Sequence, residues 1–197
     1  INNWYDHDID RRMARTRQRP TAAGRIAPAD ALTLGIALAL IAVMTMGLAV
    51  YAMWVKRRHA QNLVIGGAAG AVPPVIAWTA ATGGVDALPL VMAAIIFLWT
   101  PPHFWALALY RHDDYAGVGV PMLPVTSGAV ATRRQILAYA VVLLPVALLP
   151  TLIGALGWIY GAAALALGAV FVGHAWALWR TGGDGAAMRT FRFSLAH

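Results

Sequence analysis

The chain has 197 residues, of which 60% are hydrophobic and 12% are charged, its formal net charge is +7, and it contains no cysteine. A soluble helical domain needs roughly 25% charged residues, about twice the fraction in this chain. The mean hydropathy of +0.64 is also high. The composition therefore excludes soluble and disordered chains and indicates an integral membrane protein. Without cysteine, disulfides, cysteine-ligated metals and thiol nucleophiles are excluded.

The first element is a polar, acidic segment. Because the chain begins with Ile1, we expect sequence upstream to be missing. Asn2, Asp6 and Asp10 are four residues apart, which on a helix places neighbouring side chains about 5 to 6 Å from each other on one face. Like charges so placed repel unless a cation lies between them, and hard oxygen ligands suit Mg²⁺. The alternative is a solvated acidic loop, and we expect Asp8, which points away from this face, to be solvated.

A basic run follows the acidic segment. Arg15 and Arg19 are again four residues apart, and their guanidinium groups are suited to bidentate capture of phosphate oxygens. Acids for a metal beside arginines for phosphate predict a diphosphate site. A basic loop that only sets the membrane orientation explains the same arginines equally well.

Apolar runs of about 20 residues predict membrane spans. They occupy residues 31–55, 63–81, 88–110, 136–153 and 158–179. Internal prolines such as Pro101 and Pro145 are tolerated where neighbouring helices satisfy the freed carbonyl groups, so kinked helices around a cavity are expected. Gly66, Gly67 and Gly70 predict close helix packing rather than approach to a ligand.

The basic groups test the orientation of these spans. Two spans separate residues 56–58 from Arg111, and two more separate residues 133–134 from Arg180, so these groups can share one face. Only one span separates them from the basic run at 11–25. Either a group violates the positive-inside rule, or the span at 31–55 is re-entrant, or about one span is missing near residues 50–56. We favour the missing span.

A second polar cluster follows the span at 88–110. Tyr110 and Asp114 are one helical turn apart at its mouth, with Asp113 beside them. Two acidic helix ends that meet across a shared cavity could hold two Mg²⁺ ions on a diphosphate leaving group. The alternative is that the two aspartates only cap the helix end or pair with Arg111.

His103 lies within the same otherwise apolar span. A polar ring at that depth is costly unless it is paired or functional. Its interpretation therefore stays open between a hydrogen-bonded structural residue and a ligand. At the end of the chain, residues 191–196 turn apolar after a basic loop, which is typical of the first turns of a further span.

Residues 2–10 resemble the N-x-x-x-D-x-x-x-D motif of the intramembrane aromatic prenyltransferases, the UbiA superfamily. Longer pieces are similar to the branch of that superfamily that prenylates heme, and the resemblance covers nearly the whole chain. These pieces are DIDRRMARTRQRP at 8–20, QNLVIGGAAGAVPPVIAW at 61–78, PPHFWALALYRHDDYAGVGVPMLPV at 101–125 and RTFRFSLAH at 189–197.

The resemblance implies an all-α polytopic bundle of nine spans, about five to six of which are represented here. Residues 1–197 would form a single transmembrane prenyltransferase domain, incomplete at both ends and short by about one span near residues 50–56. The implied reaction transfers a farnesyl group from farnesyl diphosphate to a vinyl group of heme B. It gives heme O and diphosphate, for heme A and terminal oxidase biogenesis.

The resemblance also implies roles for the polar residues. The expected Mg²⁺ ligands are Asn2, Asp6, Asp10 and Asp114. The expected catalytic residues are Asp6, Asp10, Tyr110 and Asp114. The expected substrate-binding residues are Asn2, Arg15 and Arg19 for the diphosphate, Asp113 as a helper, and His103 for the heme iron or a propionate. His112 stands where a basic or acidic residue is commoner in this family.

Location and partners follow from the same resemblance. A bacterial inner membrane is expected, with the motif loops on the cytoplasmic side, while a mitochondrial inner membrane is possible. The expected partners are farnesyl diphosphate, heme B and the lipid bilayer, and a downstream heme A synthase is a possible one.

Two other functions are less consistent with the sequence. Transfer to another aromatic or chlorin acceptor is disfavoured by the pieces at 101–125. A transporter is disfavoured because the acidic residues cluster at span ends instead of along the spans. No nucleic acid partner is expected, because the arginines lie between spans.

Overall fold

A computed structural model describes residues 8, 11, 18–50, 61–117 and 121–197 of the chain. Regular secondary structure within these residues is α-helical throughout, which confirms the predicted all-α class. The ranges 18–50, 61–117 and 121–197 contain eight helices, numbered here in chain order. They are α1 Pro28–Val50, α2 Asn62–Gly70, α3 Pro73–Thr82, α4 Ala87–Tyr110, α5 His112–Gly117, α6 Leu123–Leu152, α7 Trp158–Thr181 and α8 Asp184–Ser194.

Four helical segments of the described chain are long and apolar enough to cross a membrane. They are Asn62–Thr82, which contains α2 and α3, then Ala87–Tyr110, Leu123–Leu152 and Trp158–Thr181. These segments match four of the predicted spans. The fifth, predicted at 31–55, begins as α1 at Pro28, and its predicted end at residue 55 lies outside the described residues.

The predicted span at 63–81 is broken in two. Pro73 occupies the first position of α3, where the amide hydrogen that proline lacks would have no intrahelical partner. Within a continuous helix the same proline would remove a hydrogen bond and clash with the preceding turn. The chain therefore ends one helix and begins another at this point, and both remain within one membrane crossing.

Helix α6 begins at Leu123 and is longer than the span predicted at 136–153, so it also includes Arg133 and Arg134. Gly128 interrupts the helix with φ 80° and ψ 164°, a conformation that glycine adopts at little cost. From residue 129 to Leu152 the helix continues for 24 residues, about 36 Å, which is longer than a hydrocarbon core of about 30 Å, so the arginines in its first turns can lie at the membrane edge.

The centre of the bundle is formed by α4, α6 and α7, with α8 packed against α4 and α7. Side chains from all of these helices are buried where they meet. The largest fully buried apolar ones are Trp105, Ile136, Leu143, Phe171 and Leu178. Helices α1, α2 and α3 pack along the other side of α4 or on one another.

The bundle has two ends, which we name by what they carry. The motif end contains Tyr110, α5, the first turn of α6 and the turn between α7 and α8. The far end contains the turns at 83–86 and 153–157. Helix α1 begins at the far end, because Asp30 and Thr33 line a cavity together with Thr82 and Gly83 at the end of α3.

Candidate functional site

The second acidic cluster lies at the motif end. Helix α4 ends at Tyr110, Arg111 leaves the helical conformation with φ −102° and ψ 27°, and α5 then carries Asp113 and Asp114 in its first turn. The cluster therefore extends over two helices instead of one continuous span. Tyr110, Asp113 and Asp114 are all exposed at this end.

Both carboxylates of the cluster have a neighbouring basic side chain. The Arg111 Nη1 atom lies 3.1 Å from Asp114 Oδ2, and His112 Nδ1 lies 3.1 Å from Asp113 Oδ1. The Arg111 guanidinium also lies over the Tyr110 ring, 5.6 Å from its centroid. The alternative in which Asp114 pairs with Arg111 is thus the arrangement in the described chain. Exposed ion pairs of this kind are weak.

Most of the first motif lies outside the described residues, which do not include Asn2, Asp6, Asp10 or Arg15. Asp8, expected to be solvated, is exposed. Among the residues that the structure describes, no group of three or more acidic or histidine side chains is positioned to hold a metal ion.

Arg19 is described, and it lies away from Asp114. Hydrogen bonds return from Ala23 to Arg19 and from Arg25 and Ile26 to Pro20, so the turn before α1 is compact and remains at the far end. Helix α4, about 36 Å long, extends from that end to Asp114. The expected meeting of Arg19 with the second motif stays a prediction, because residues 51–60, between α1 and α2, lie outside the described residues.

His103 is buried inside α4, with 7% of its surface exposed, and it is paired. Its Nδ1 lies 2.6 Å from the Ser194 Oγ of α8. Ser194 also donates a hydrogen bond to the Phe191 carbonyl oxygen at 2.6 Å, and its own carbonyl oxygen accepts one from Trp99 Nε1 at 2.9 Å. The polar ring is thus satisfied by a second helix, as its depth requires.

Aromatic rings fix the orientation of the imidazole. The Trp99 ring stacks on His103 with centroids 4.3 Å apart and planes 17° apart. Phe104 meets the ring edge-on at 4.9 Å, and Phe191 packs on it at 4.9 Å. Because Trp99 and His103 are one turn apart on α4 and Phe191 is on α8, the contact joins the two helices by both packing and hydrogen bonds.

Two apolar cavities flank this contact. The first, of about 400 Å³, lies between α4, α6, α7 and α8 and includes Tyr160, Ser194 and His197 in its wall. The second, also about 400 Å³, lies between α2 and α4 and is lined by Gly66, Gly67, Gly70 and side chains of α4. Ile96 and Trp99 line both cavities. They therefore form the partition between the two.

The polar groups in the first cavity are few. Tyr160 donates its hydroxyl hydrogen to the Ala147 carbonyl oxygen at 3.0 Å. His197 packs on Phe171 with ring centroids 5.2 Å apart. A wall of this kind suits a large apolar ligand with little charge.

The sequence identified His103 but not its partners. Ser194 and Trp99 are 91 residues and one turn away from it, respectively. A serine in an apolar segment carries no signal of its own. The one indication is that a buried imidazole needs a hydrogen-bond partner. This predicts the type of partner residue but not its position in the sequence.

Comparison with known proteins assigns the chain to a family. The UbiA prenyltransferase family matches residues 1–196. A protein of Parvibaculum lavamentivorans named protoheme IX farnesyltransferase is 52% identical over 219 positions, which cover the whole chain and 69% of that relative. Protoheme IX farnesyltransferase 1 of Mesorhizobium japonicum is 50% identical over 89% of the chain and 62% of its own length. Protoheme IX farnesyltransferase of Rhodopseudomonas palustris is 48% identical over the whole chain and 70% of its own length. No solved structure matches.

The aligned region of the first of these relatives is longer than this chain. The alignment with the Parvibaculum lavamentivorans relative has 219 positions for the 197 residues of this chain, which leaves about 22 positions of the relative without a counterpart. A membrane-spanning helix needs about 20 residues. The chain thus lacks, within the aligned region, about as many residues as one span contains. The position predicted for a missing span, residues 50–56, stays a prediction.

Proposed function

This chain belongs to the UbiA prenyltransferase family, and we propose that it transfers a farnesyl group from farnesyl diphosphate to a vinyl group of heme B, giving heme O and diphosphate. The observation that carries the proposal is identity of about 50% to protoheme IX farnesyltransferases along the chain. The chain spans about two thirds of the length of these relatives.

The bonds of the reaction can be followed one by one. The bond between farnesyl C1 and the diphosphate oxygen breaks, and its electron pair leaves with diphosphate. The terminal carbon of the vinyl group bonds to C1, which leaves a cation on the carbon next to the porphyrin. The oxygen of water bonds to that cation and a proton is released. The apolar cavities on both sides of Trp99 would exclude other nucleophiles from these cations.

The leaving group needs positive charge. Asp114, with Asn2, Asp6 and Asp10, would hold Mg²⁺, since carboxylate and amide oxygens are ligands that this ion accepts and the exposed Asp114 is held only by a weak ion pair. When bound, Mg²⁺ neutralises the diphosphate as it departs. Tyr110 and Asp113 flank Asp114 and would contact the same group.

Arg15 and Arg19 are proposed to bind the phosphate oxygens. In the described chain the turn that contains Arg19 lies at the far end. One further crossing between α1 and α2 would reverse α1 and carry this turn to the motif end. The role proposed for Arg19 in the diphosphate site therefore depends on one additional span. The Parvibaculum lavamentivorans relative has about 22 more residues in the aligned region, which is enough for such a span.

The acceptor would occupy the two cavities on either side of Trp99, the residue that stacks on His103. Each has a volume of about 400 Å³, and displacement of Trp99 would join them into about 800 Å³, within the range of roughly 300–1,000 Å³ for cofactor-sized ligands. His103, between the motif end and the middle of α4, would face the heme. We further propose a bacterial inner membrane with the motif end in the cytoplasm, and heme O as the substrate of a downstream heme A synthase.

The test is a pigment assay on membranes that contain the full chain, with the Parvibaculum lavamentivorans relative as a positive control. Heme B, farnesyl diphosphate and Mg²⁺ are supplied, and extracted hemes are separated and weighed. We expect heme O, and a loss of about 10²-fold or more for Asp114→Asn. The matched control is Asp86→Asn, because Asp86 is bonded to Trp78 Nε1 at the far end. Prenylation of a hydroxybenzoate or a chlorin in place of heme would overturn the acceptor.

A further inference from the structure

A small cavity at the motif end contains an arginine. It lies between α4, α6, α7 and α8, has a volume of about 140 Å³ and has Arg133 in its wall. Leu109 and Leu178 form part of its apolar wall. Both lie within three residues of the end of a membrane crossing, at Tyr110 for α4 and at Thr181 for α7. The cavity is therefore at the depth where the hydrocarbon core meets the lipid headgroups.

The guanidinium group of Arg133 is held at the turn between α7 and α8. Its Nε donates to the Ala129 carbonyl oxygen at 3.3 Å, and its Nη1 occupies the space that a Cβ on Gly182 would take. Gly182 has φ 65° and Gly183 has φ 79°, a conformation that glycine adopts at little cost. The turn thus leaves room for the guanidinium, whose Nη groups make no hydrogen bond to the described residues.

A second guanidinium group approaches the same turn from α8. Arg189 is exposed, and its Nη1 lies 3.8 Å from the position that a Cβ on Gly185 would occupy. Its side chain therefore runs back toward the motif end, which brings the charge closer to the headgroups. In the part of the chain that the structure describes, neither Arg133 nor Arg189 has a carboxylate partner.

The surroundings of the two arginines favour an anion. Two guanidinium groups held at one turn repel each other, and a partly buried charge is costly unless an opposite charge or a hydrogen-bond acceptor meets it. Asp184 lines the cavity and offsets part of the positive charge, but it pairs with neither arginine. A net positive charge therefore remains at the turn.

We propose that Arg133 and Arg189 bind the phosphate group of an anionic membrane lipid at the turn between α7 and α8. Guanidinium groups bind phosphate oxygens through paired hydrogen bonds, and basic clefts between membrane helices bind anionic lipid headgroups. Lipid phosphates lie at the depth of this turn, and the apolar wall beside Arg133 suits the carbon atoms attached to them. The bound lipid would join α6 to α8, the helix that carries Ser194 to His103.

The first experiment measures lipid binding and needs no activity. The full chain is purified in a neutral detergent, short-chain phosphatidylglycerol is added, and bound lipids are counted by native mass spectrometry. Phosphatidylcholine, which has the same phosphodiester but no net charge, is measured in parallel with inorganic phosphate and diphosphate. We expect one phosphatidylglycerol to bind with a Kd about tenfold or more below that of phosphatidylcholine. No heme or farnesyl diphosphate is present, so the result is independent of the proposed function.

The variants test the two arginines separately. Arg133→Gln and Arg189→Gln are each expected to raise the Kd for phosphatidylglycerol about tenfold, as for loss of a hydrogen bond between charged groups. Arg134→Gln is the matched control, because Arg134 is exposed beside Arg133 in the sequence but does not line the cavity, and its Kd should stay near the wild-type value. Asp184→Asn should lower the Kd, which keeps the test valid if loss of Arg133 disturbs folding.

Thermal unfolding gives a second readout, since a ligand that binds only the folded state raises the unfolding temperature. Phosphatidylglycerol should raise it for the wild type and Arg134→Gln more than for Arg133→Gln or Arg189→Gln. Equal Kd values for the two lipids, or an equal effect of Arg134→Gln and Arg133→Gln, would mean that no specific site exists and would overturn the proposal. Inorganic phosphate or diphosphate that binds through Arg133 and Arg189 while phosphatidylglycerol does not would overturn the lipid as the ligand.

Discussion

The Arg111 guanidinium lies 3.1 Å from the Asp114 carboxylate, three residues along the chain, and both side chains are more than half exposed. Asp114 is one of the residues proposed to hold Mg²⁺ on the departing diphosphate. Because the pair is solvated, its contribution to the free energy of unfolding is small. Breaking it is therefore expected to change the binding of other cations by Asp114 more than the stability of the fold.

For Arg111→Gln we therefore expect a change of less than about 1 kcal/mol in the free energy of unfolding, measured by denaturation in detergent. The same variant is expected to reach half-maximal activity at a severalfold lower Mg²⁺ concentration, because the metal no longer competes with a guanidinium for Asp114. A higher Mg²⁺ requirement would instead show that Arg111 itself contacts the diphosphate.

A second prediction concerns Trp99, the partition between the two cavities. Trp99→Phe keeps a ring to stack on His103 and removes the hydrogen bond to Ser194, so we expect a destabilisation of about 1 kcal/mol and retained activity. Trp99→Ala removes the ring and joins the cavities, with an expected cost of about 3–5 kcal/mol.

The readout for Trp99 has two parts. Thermal unfolding gives the order of stabilities, and a larger heme analogue tests the joined cavity, which Trp99→Ala should admit better than the wild type relative to heme B. Equal stabilities of the Phe and Ala variants would mean that Trp99 does not hold α4 and α8 together.

A third prediction uses two glycines on the same helix face. A Cβ on Gly67 would lie 3.1 Å from Thr100 Cγ2, whereas a Cβ on Gly70 would meet nothing within 4 Å. Thr100 is β-branched and cannot easily turn aside, so Gly67→Ala should push α2 from α4 and cost about 1–3 kcal/mol. Gly70→Ala is the matched control, with no loss of stability expected. A similar loss of stability in Gly67→Ala and Gly70→Ala would mean that the contact with Thr100 is not its cause.

The sequence predicted the parts of this fold that depend on local composition. Apolar runs located four membrane crossings, because burial in lipid requires a continuous apolar stretch. Helix α6 is longer than the span predicted at 136–153, since a long helix can carry charges such as Arg133 and Arg134 at the membrane edge. At the site, the depth of His103 indicated a ring that is either paired or functional, but Ser194 and the stacking on Trp99 depend on how α8 packs against α4. No pattern within α4 specifies that packing.

The orientation of α1 gives the last prediction, and the absence of cysteine makes it measurable. Single cysteines at Gln18 and Asp113 lie at the far end and the motif end, respectively, and both positions are exposed. A membrane-impermeant thiol reagent applied to sealed vesicles should label Gln18→Cys and Asp113→Cys from opposite sides. Gly84→Cys, in the turn at 83–86, should be labelled from the same side as Gln18→Cys.

Insertion of a span changes this expectation in one defined way. We consider a variant in which about 22 residues of the Parvibaculum lavamentivorans relative that have no counterpart in this chain are inserted at the predicted position between residues 50 and 56. If the insert crosses the membrane, α1 must reverse, because each added crossing exchanges the sides of everything before it. Gln18→Cys should then be labelled with Asp113→Cys, and the basic run at 11–25 would join the other basic groups on the side that the positive-inside rule favours. Activity gained together with this change of side would tie the diphosphate site to the arginines of that run. Labelling of Gln18 and Asp113 from one side in the chain without the insertion would show instead that α1 does not cross the membrane.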